Sequence, residues 1–305
     1  MPGKLQDKVA VITGAARGVG RCTALLMAQE GAKIVVADNG SSVDGSGSSL
    51  APSEAVVDEI KSLGGEATAI ACDVSDWNQS KQLIDSTIEK YGKLDILVNI
   101  AGNFRVNNIV NVTRDDWDAL RKVHMDGMMH TSHFAALHWK ERKEYGRLLN
   151  LTSDSFMSGV PDTFAYAAAK GAVVGMTRAI ANAMVNYNVT ANCMTQISMT
   201  RMADSYYPDS DTKPSDAAPS DQRPDTVPPL IVYLCSPEAS YISGRIFGSN
   251  GFTYVRWSEP EHEKKLESNL DEGWDLDYLF NEFQSTLGAG LSLEKDLQWP
   301  MEDLD

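Results

Sequence analysis

Apolar residues in this chain fall into short unbroken runs rather than strict alternation. "KVAVITG", "AKIVVAD", "EATAIACDV", "LDILVNIAG", "GRLLNLTS", "NVTANCM" and "GRIFGSN" are the clearest. Between them lie segments of helical period near residues 17–30, 53–63, 77–91, 114–140 and 164–186. A strand that is apolar on both faces must be covered on both, and amphipathic helices between successive strands supply that cover. The pattern therefore predicts an α/β fold with a doubly wound parallel sheet. In such a sheet, ligands bind beyond the carboxyl ends of the strands.

Three stretches depart from this rhythm. "NGSSVDGSGSSLAPS" (39–53) is rich in Gly and Ser and predicts a mobile loop after the second strand. A Pro-, Asp- and Ser-rich segment at about 203–226 predicts a lid loop. From Tyr254 onward the chain holds 14 acids against 4 bases, which is −10 of the formal −15. That tail also carries Trp257, Trp274, Tyr278, Phe280, Phe283 and Trp299, more large apolar groups than a disordered acidic tail needs. The expected organisation is one domain over 1–253 and an acidic, aromatic-containing C-terminal extension over 254–305 that docks. The negative charge argues against nucleic acid and anionic membranes as partners. No run reaches the roughly 18 apolar residues of a membrane span. The N-terminal "MPGKLQDKVAVITG" lacks a signal peptide's apolar core. Cys22, Cys72, Cys193 and Cys235 are scattered without metal spacing, which fits reduced thiols and a cytoplasmic protein.

The first strand ends in "VITGAARGVG", placing Gly14, Gly18, Val19 and Gly20 between a strand and a helix. Glycine there permits a tight turn and a close approach to a pyrophosphate, whose charge the helix N-terminus favours. The second strand ends in Asp38, at the distance where an acid hydrogen-bonds the ribose hydroxyls of NAD. Together these predict a Rossmann fold with NAD as cofactor. Asp38 repels a 2′-phosphate, while Arg17, inside the turn, is a counter-signal that could meet one.

In "TFAYAAAKGAV", Tyr166 and Lys170 stand four apart, on one helical face among small residues. Taken alone, they could be a surface pair on an Ala-rich helix. With the glycine turn placed, the chain resembles the short-chain dehydrogenase/reductase family over residues 5–252, and the long loop at 39–67 and "TRM" at 200–202 are similar to its hydroxyacyl-CoA dehydrogenase-like branch. The matching pieces are Thr13-Gly14-x-x-x-Gly18-x-Gly20, Asp73-Val74 after Cys72, "NIAG" with Asn99, Ala101 and Gly102, Tyr166-x-x-x-Lys170, and Ser153 thirteen residues before Tyr166. The resemblance implies that Asp73 and Val74 face the adenine, that Ser153 holds the substrate oxygen, and that Lys170 bonds the nicotinamide ribose. Tyr166 is implied as the acid/base. A free tyrosine has a pKa near 10, and an ammonium one turn away, together with the positive nicotinamide of bound NAD⁺, favours the phenolate.

Three positions depart from the family's pattern: Ile100, Gln196-Ile197, and His124, which stands where the family keeps a catalytic Asn. His124 is expected near Lys170, in the proton path. It is alternatively a helix histidine of no chemical role. His130 and His133 share a helical face, but no acid or cysteine completes a metal site, and no metal is expected. The implied reaction is NAD-dependent interconversion of a secondary alcohol and a ketone, with a 3-hydroxyacyl-CoA as a candidate substrate and a homodimer or homotetramer as the assembly. A hydroxysteroid or other uncharged alcohol, or a catalytically weak NAD-binding subunit, stands as the alternative.

Overall fold

In the computed structural model, residues 3–204, 213 and 215–292 are described. The chain runs β1 (Val9–Thr13), α1 (Gly18–Gln29), β2 (Lys33–Asp38), α2 (Ala51–Ser62), β3 (Ala67–Ala71), α3 (Trp77–Tyr91) and β4 (Ile96–Asn99). It continues through α4 (Arg114–Arg121), α5 (Met128–Arg142), β5 (Gly146–Leu151), α6 (Ser155–Ser158), α7 (Phe164–Met184) and β6 (Val189–Ile197). Then follow α8 (Arg201–Asp204), α9 (Pro228–Leu234), β7 (Ile246–Asn250), β8 (Thr253–Arg256) and α10 (Leu276–Phe283). The strands form one sheet in the order β3-β2-β1-β4-β5-β6-β7-β8, parallel except for the β7–β8 pair.

Successive residues of single strands enter opposite cores. Ala10 and Ile12 of β1 pack with Met27, Ile60 and Ile231 from α1, α2 and α9, whereas Val11 packs with Leu83, Phe134 and Met184 from α3, α5 and α7. Each such side chain contributes roughly 1.5–3 kcal/mol by leaving water. This two-sided burial is why the strands carry unbroken apolar runs.

The sheet order reverses between β1 and β4, so the loops leaving their carboxyl ends diverge and open a crevice. The Gly/Ser loop after β2 closes part of that crevice. Its Val43 carbonyl accepts from the Phe104 N–H at 3.1 Å, and its Asp44 carbonyl accepts from Arg105 Nη2 at 3.2 Å.

Two sequence expectations require correction. The long helix anticipated over 114–140 is interrupted by a π-helical turn at Lys122–Gly127, between α4 and α5. The expected domain end at 253 falls inside β8, whose antiparallel pairing to β7 carries the first compact unit to Trp257. The second unit begins at Ser258. Within it, Asp275 caps α10 by accepting from Asp277 and Tyr278 N–H groups, while Phe280 and Phe283 stay exposed. Trp299 and residues 205–212 and 214 of the expected lid lie outside the described residues. Among the described residues, no helix is long and apolar enough to cross a membrane.

Candidate active site

The crevice at the strand reversal holds a cavity of about 540 Å³. Its wall includes Gly14, Arg17, Gly18, Val19, Gly20, Asp38, Asp73, Val74, Ala101, Gly102, His124, Tyr166 and Lys170. The fold thus gathers most of the residues singled out from sequence, although they come from six different loops and helices.

At the glycine turn, backbone contacts leave no space for side chains. A Cβ on Gly14 would lie 2.7 Å from Ala101 N, and one on Gly20 would lie 2.0 Å from Gly14 O. Gly14 also has φ of +70°, where glycine is strongly favoured. Thr13 Oγ1 accepts from the N–H groups of Ile100 and Ala101 at 3.1 and 3.2 Å, locking the two loops together. Asp38 aims its carboxylate at the turn, accepting from Ala16 N–H at 3.0 Å and Gly40 N–H at 2.6 Å.

Asn99 is not on the cavity wall. Its amide donates to Asn150 Oδ1 at 2.9 Å and its carbonyl accepts from Thr131 Oγ1 at 2.9 Å, inside a buried network. It stiffens the floor of the site rather than facing a ligand.

Tyr166 and Lys170 are set by both ends of their surroundings. Thr163 supplies no side-chain cap to α7. Asn107 does that work from a distant loop, its Oδ1 accepting from Ala165 N–H at 3.1 Å and its carbonyl from Phe164 N–H at 3.1 Å. The end of β5 grips the next turn: Thr152 Oγ1 donates to Lys170 O at 2.8 Å, and Lys170 Nζ donates to Leu151 O at 2.9 Å. The Tyr166 ring sits edge-on to Phe104 and His124, at centroid separations of 5.1 and 5.3 Å. Ser153, just off the wall, donates from Oγ to Asp154 Oδ1 at 3.3 Å and lies near enough to Tyr166 to favour its phenolate.

The electrostatics differ from the sequence expectation. Burial pushes the Tyr166 phenol up to about 12, outweighing the opposite effect of Ser153, and pushes the Lys170 amine down to about 7. The anticipated lowering of the phenol by a neighbouring ammonium is absent from the protein alone. Lys170 is buried and Tyr166 half-buried on the cavity wall, and Lys170 Nζ lies 5.5 Å from the Tyr166 ring centroid, turned toward Leu151.

His124 occupies the π-helical turn and is 1% exposed. Its Nε2 lies 2.8 Å from Asn103 O, so Nε2 bears the proton and donates, while the buried Nδ1 has no partner. Burial first, then Lys170, holds its pKa well below the ordinary 6.5, so the ring is neutral. Gly102 must be glycine because a Cβ there would approach His124 Cε1 to 2.6 Å. By contrast, His130 donates to Val74 O, and His130 and His133 both pack on Trp77. Sequence patterns gave no sign of Asn107, whose role depends on a contact across 58 residues.

Comparison with known proteins bears on this geometry. The family described as enoyl-(acyl carrier protein) reductase matches residues 14–251. Hydroxyacyl-CoA dehydrogenase ChsB1 of Mycobacterium tuberculosis is 33% identical over 282 residues, covering 89% of this chain and 86% of that protein. The chain belongs to the short-chain dehydrogenase/reductase family. A short chain dehydrogenase from Mycobacterium avium superposes with a TM-score of 0.80 at 32% identity, covering 94% of this chain and 96% of that one. Carveol dehydrogenase from Mycobacterium avium, solved in complex with NAD, superposes with a TM-score of 0.72 at 27% identity, covering 81% and 97%. As a short-chain dehydrogenase/reductase, this chain is an oxidoreductase of CH–OH groups.

Proposed function

We propose that this short-chain dehydrogenase/reductase interconverts a secondary alcohol and a ketone with NAD, and that its substrate class is the 3-hydroxyacyl-CoA esters. The observation that carries the reading is the meeting, in one cavity, of the Tyr166/Lys170 face with the glycine turn and Asp38. The residues fit a dinucleotide. The tight packing at Gly14 and Gly20 leaves bare backbone beside the first turn of α1, and Asp38 is fixed at the adjoining strand end. Asp38 favours a ribose diol over a 2′-phosphate, and the NAD-bound carveol dehydrogenase supports the same choice. The hydroxyacyl-CoA dehydrogenase relative supports the substrate class. The functional unit is taken to be a homodimer or homotetramer acting on a small molecule.

When bound, the nicotinamide ring accepts or supplies the hydride. Tyr166 removes the hydroxyl proton of the alcohol, or protonates the oxygen in reverse. Ser153 hydrogen-bonds that oxygen beside Tyr166, whose phenolate it favours. Lys170 lies one turn along, where its amine can bond the nicotinamide ribose. His124 shares the wall with Tyr166 and is assigned to hold the proton path through its free Nδ1.

The test is NAD reduction by purified protein across secondary alcohols, including 3-hydroxyacyl-CoA esters and hydroxysteroids. Tyr166→Phe should cut turnover by several hundredfold, within the roughly 10²–10⁴ expected for loss of a general acid/base, with NAD affinity unchanged. A variant retaining a tenth of wild-type turnover refutes the role of Tyr166. Reduction of NAD by hydroxysteroids but not acyl-CoA esters moves the substrate to the uncharged class.

A further inference from the structure

Arg17 and Arg201 both line the cavity, near enough for each charge to feel the other. Arg17 immediately precedes α1, and its Nη1 lies 3.5 Å from Ser41 O beyond β2. Arg201 opens α8, and the preceding Thr200 places its Cγ2 3.4 Å from where a Cβ on Gly18 would lie. The segment is tied to the turn at Ser220–Gln222 by Met199 N–H donating to Gln222 O at 2.7 Å, and within it Met202 N–H donates to Thr200 Oγ1 at 3.3 Å.

Neither guanidinium has an ion-pair partner among the described residues. The two nearby acids are engaged elsewhere: Asp38 with Ala16 and Gly40, and Asp204 with the N–H and hydroxyl of Ser215 at 2.8 and 2.6 Å. Two like charges brought to one wall repel unless an anion lies between them. Arg201 shows that strain, its pKa lowered by burial first and then by Arg17, with Asp38 and Asp204 opposing. Planar guanidinium forks suit phosphoryl oxygens, and the first turn of α1 adds free backbone N–H groups beside them.

We propose that Arg17 and Arg201 form a two-guanidinium clamp on a phosphoryl group of the dinucleotide, making Arg201 a cofactor-binding residue supplied from beyond β6. This rests on the dinucleotide reading above. The phosphoryl group has two possible sources, the diphosphate shared by NAD and NADP or the 2′-phosphate of NADP alone. The engaged Asp38 on the ribose side favours the diphosphate.

Calorimetric dissociation constants of the full chain for NAD and for NADP test the clamp, using wild type, Arg201→Gln, Arg201→Lys, Arg17→Gln and the Arg17→Gln/Arg201→Gln pair. Loss of a charge-assisted contact should weaken binding by roughly tenfold or more in Arg201→Gln, less in Arg201→Lys. The double variant should lose less than the product of the single losses, because both arginines hold one group. Equal losses for NAD and NADP assign the clamp to the diphosphate, and a loss confined to NADP assigns it to the 2′-phosphate. Arg201→Gln binding both dinucleotides within twofold of wild type overturns the proposal. Wild-type protein that binds neither dinucleotide instead overturns the dinucleotide reading itself. Arg201→Lys keeps the charge and the chain's packing, so its intermediate affinity separates a lost contact from a folding defect.

Discussion

At the scale of single residues, the site is governed by withheld water. Tyr166 titrating at about 12 in the free protein means that almost none is phenolate at neutral pH. For alcohol oxidation at saturating NAD, kcat/KM should climb by up to about tenfold per pH unit until the pH reaches the phenol's pKa in the dinucleotide complex, because only the phenolate can take the proton. Ketone reduction uses the protonated phenol, so its kcat/KM should lack that tyrosine-dependent rise. Equal, flat profiles in both directions would remove Tyr166 from the proton transfer. His124 is depressed rather than raised, and the sign follows from that. Between its folded pKa and 6.5 the unfolded chain binds a proton that the folded chain refuses, so stability falls as pH drops through this window. The slope attributable to one such proton is about 1.4 kcal/mol per pH unit. His124→Asn should remove that slope in denaturant titrations while keeping turnover within a few fold and its pH profile unchanged from pH 6 to 9. His124→Leu, with no polar atom for the proton path, should lose turnover more than cofactor affinity. Wild-type kinetics in both variants would make His124 a packing residue only.

At the scale of elements, chemistry depends on how helices are started and interrupted. The α7 terminus is capped from outside its own sequence, so the register of Tyr166 is set by the loop bearing Asn107. Asn107→Ala leaves the buried Ala165 N–H without a partner, which should cost about 1–3 kcal/mol in equilibrium unfolding. Turnover should drop more than NAD affinity, because the cap lies one residue from the tyrosine and far from the glycine turn. Unchanged stability would mean the chain end re-caps itself. The π-helical turn acts similarly: the wider turn interrupts the run from α4 into α5 at the place where His124 enters the wall. Gly127 closes this turn against Val74, where a Cβ would come within 2.6 Å of Val74 Cγ2.

At the scale of the whole molecule, the two units make separate predictions. β8 completes the sheet through its pairing with β7, so a chain ending before Thr253 loses an edge strand and should melt several degrees lower. A chain ending at Trp257 keeps the sheet and should remain folded. Docking of the Ser258–Asp305 unit, expected from its aromatic side chains with Trp274, Phe280 and Phe283 exposed, predicts that its loss changes assembly state or kinetics. Light scattering and steady-state kinetics on the two truncations check this. A chain ending at Trp257 with unchanged mass multiple, melting point and kinetics would show the extension to be dispensable.

The sequence by itself determined the alternation of strands and helices, the glycine turn with Asp38, and the Tyr166/Lys170 pair. All of these rest on local periodicity and short spacings, which the backbone obeys wherever it lies. Only the tertiary structure decided what depends on contacts between distant segments. It placed Asn99 in a buried network instead of the cavity wall, brought Thr200 against Gly18 with Arg201 on the cavity wall beside it, and gave Asn107 the cap of α7. It also set how much water Tyr166 and Lys170 lose in the protein alone. Spacing along a helix tells how near two charges stand, whereas the water each loses is set by what the rest of the chain packs around them.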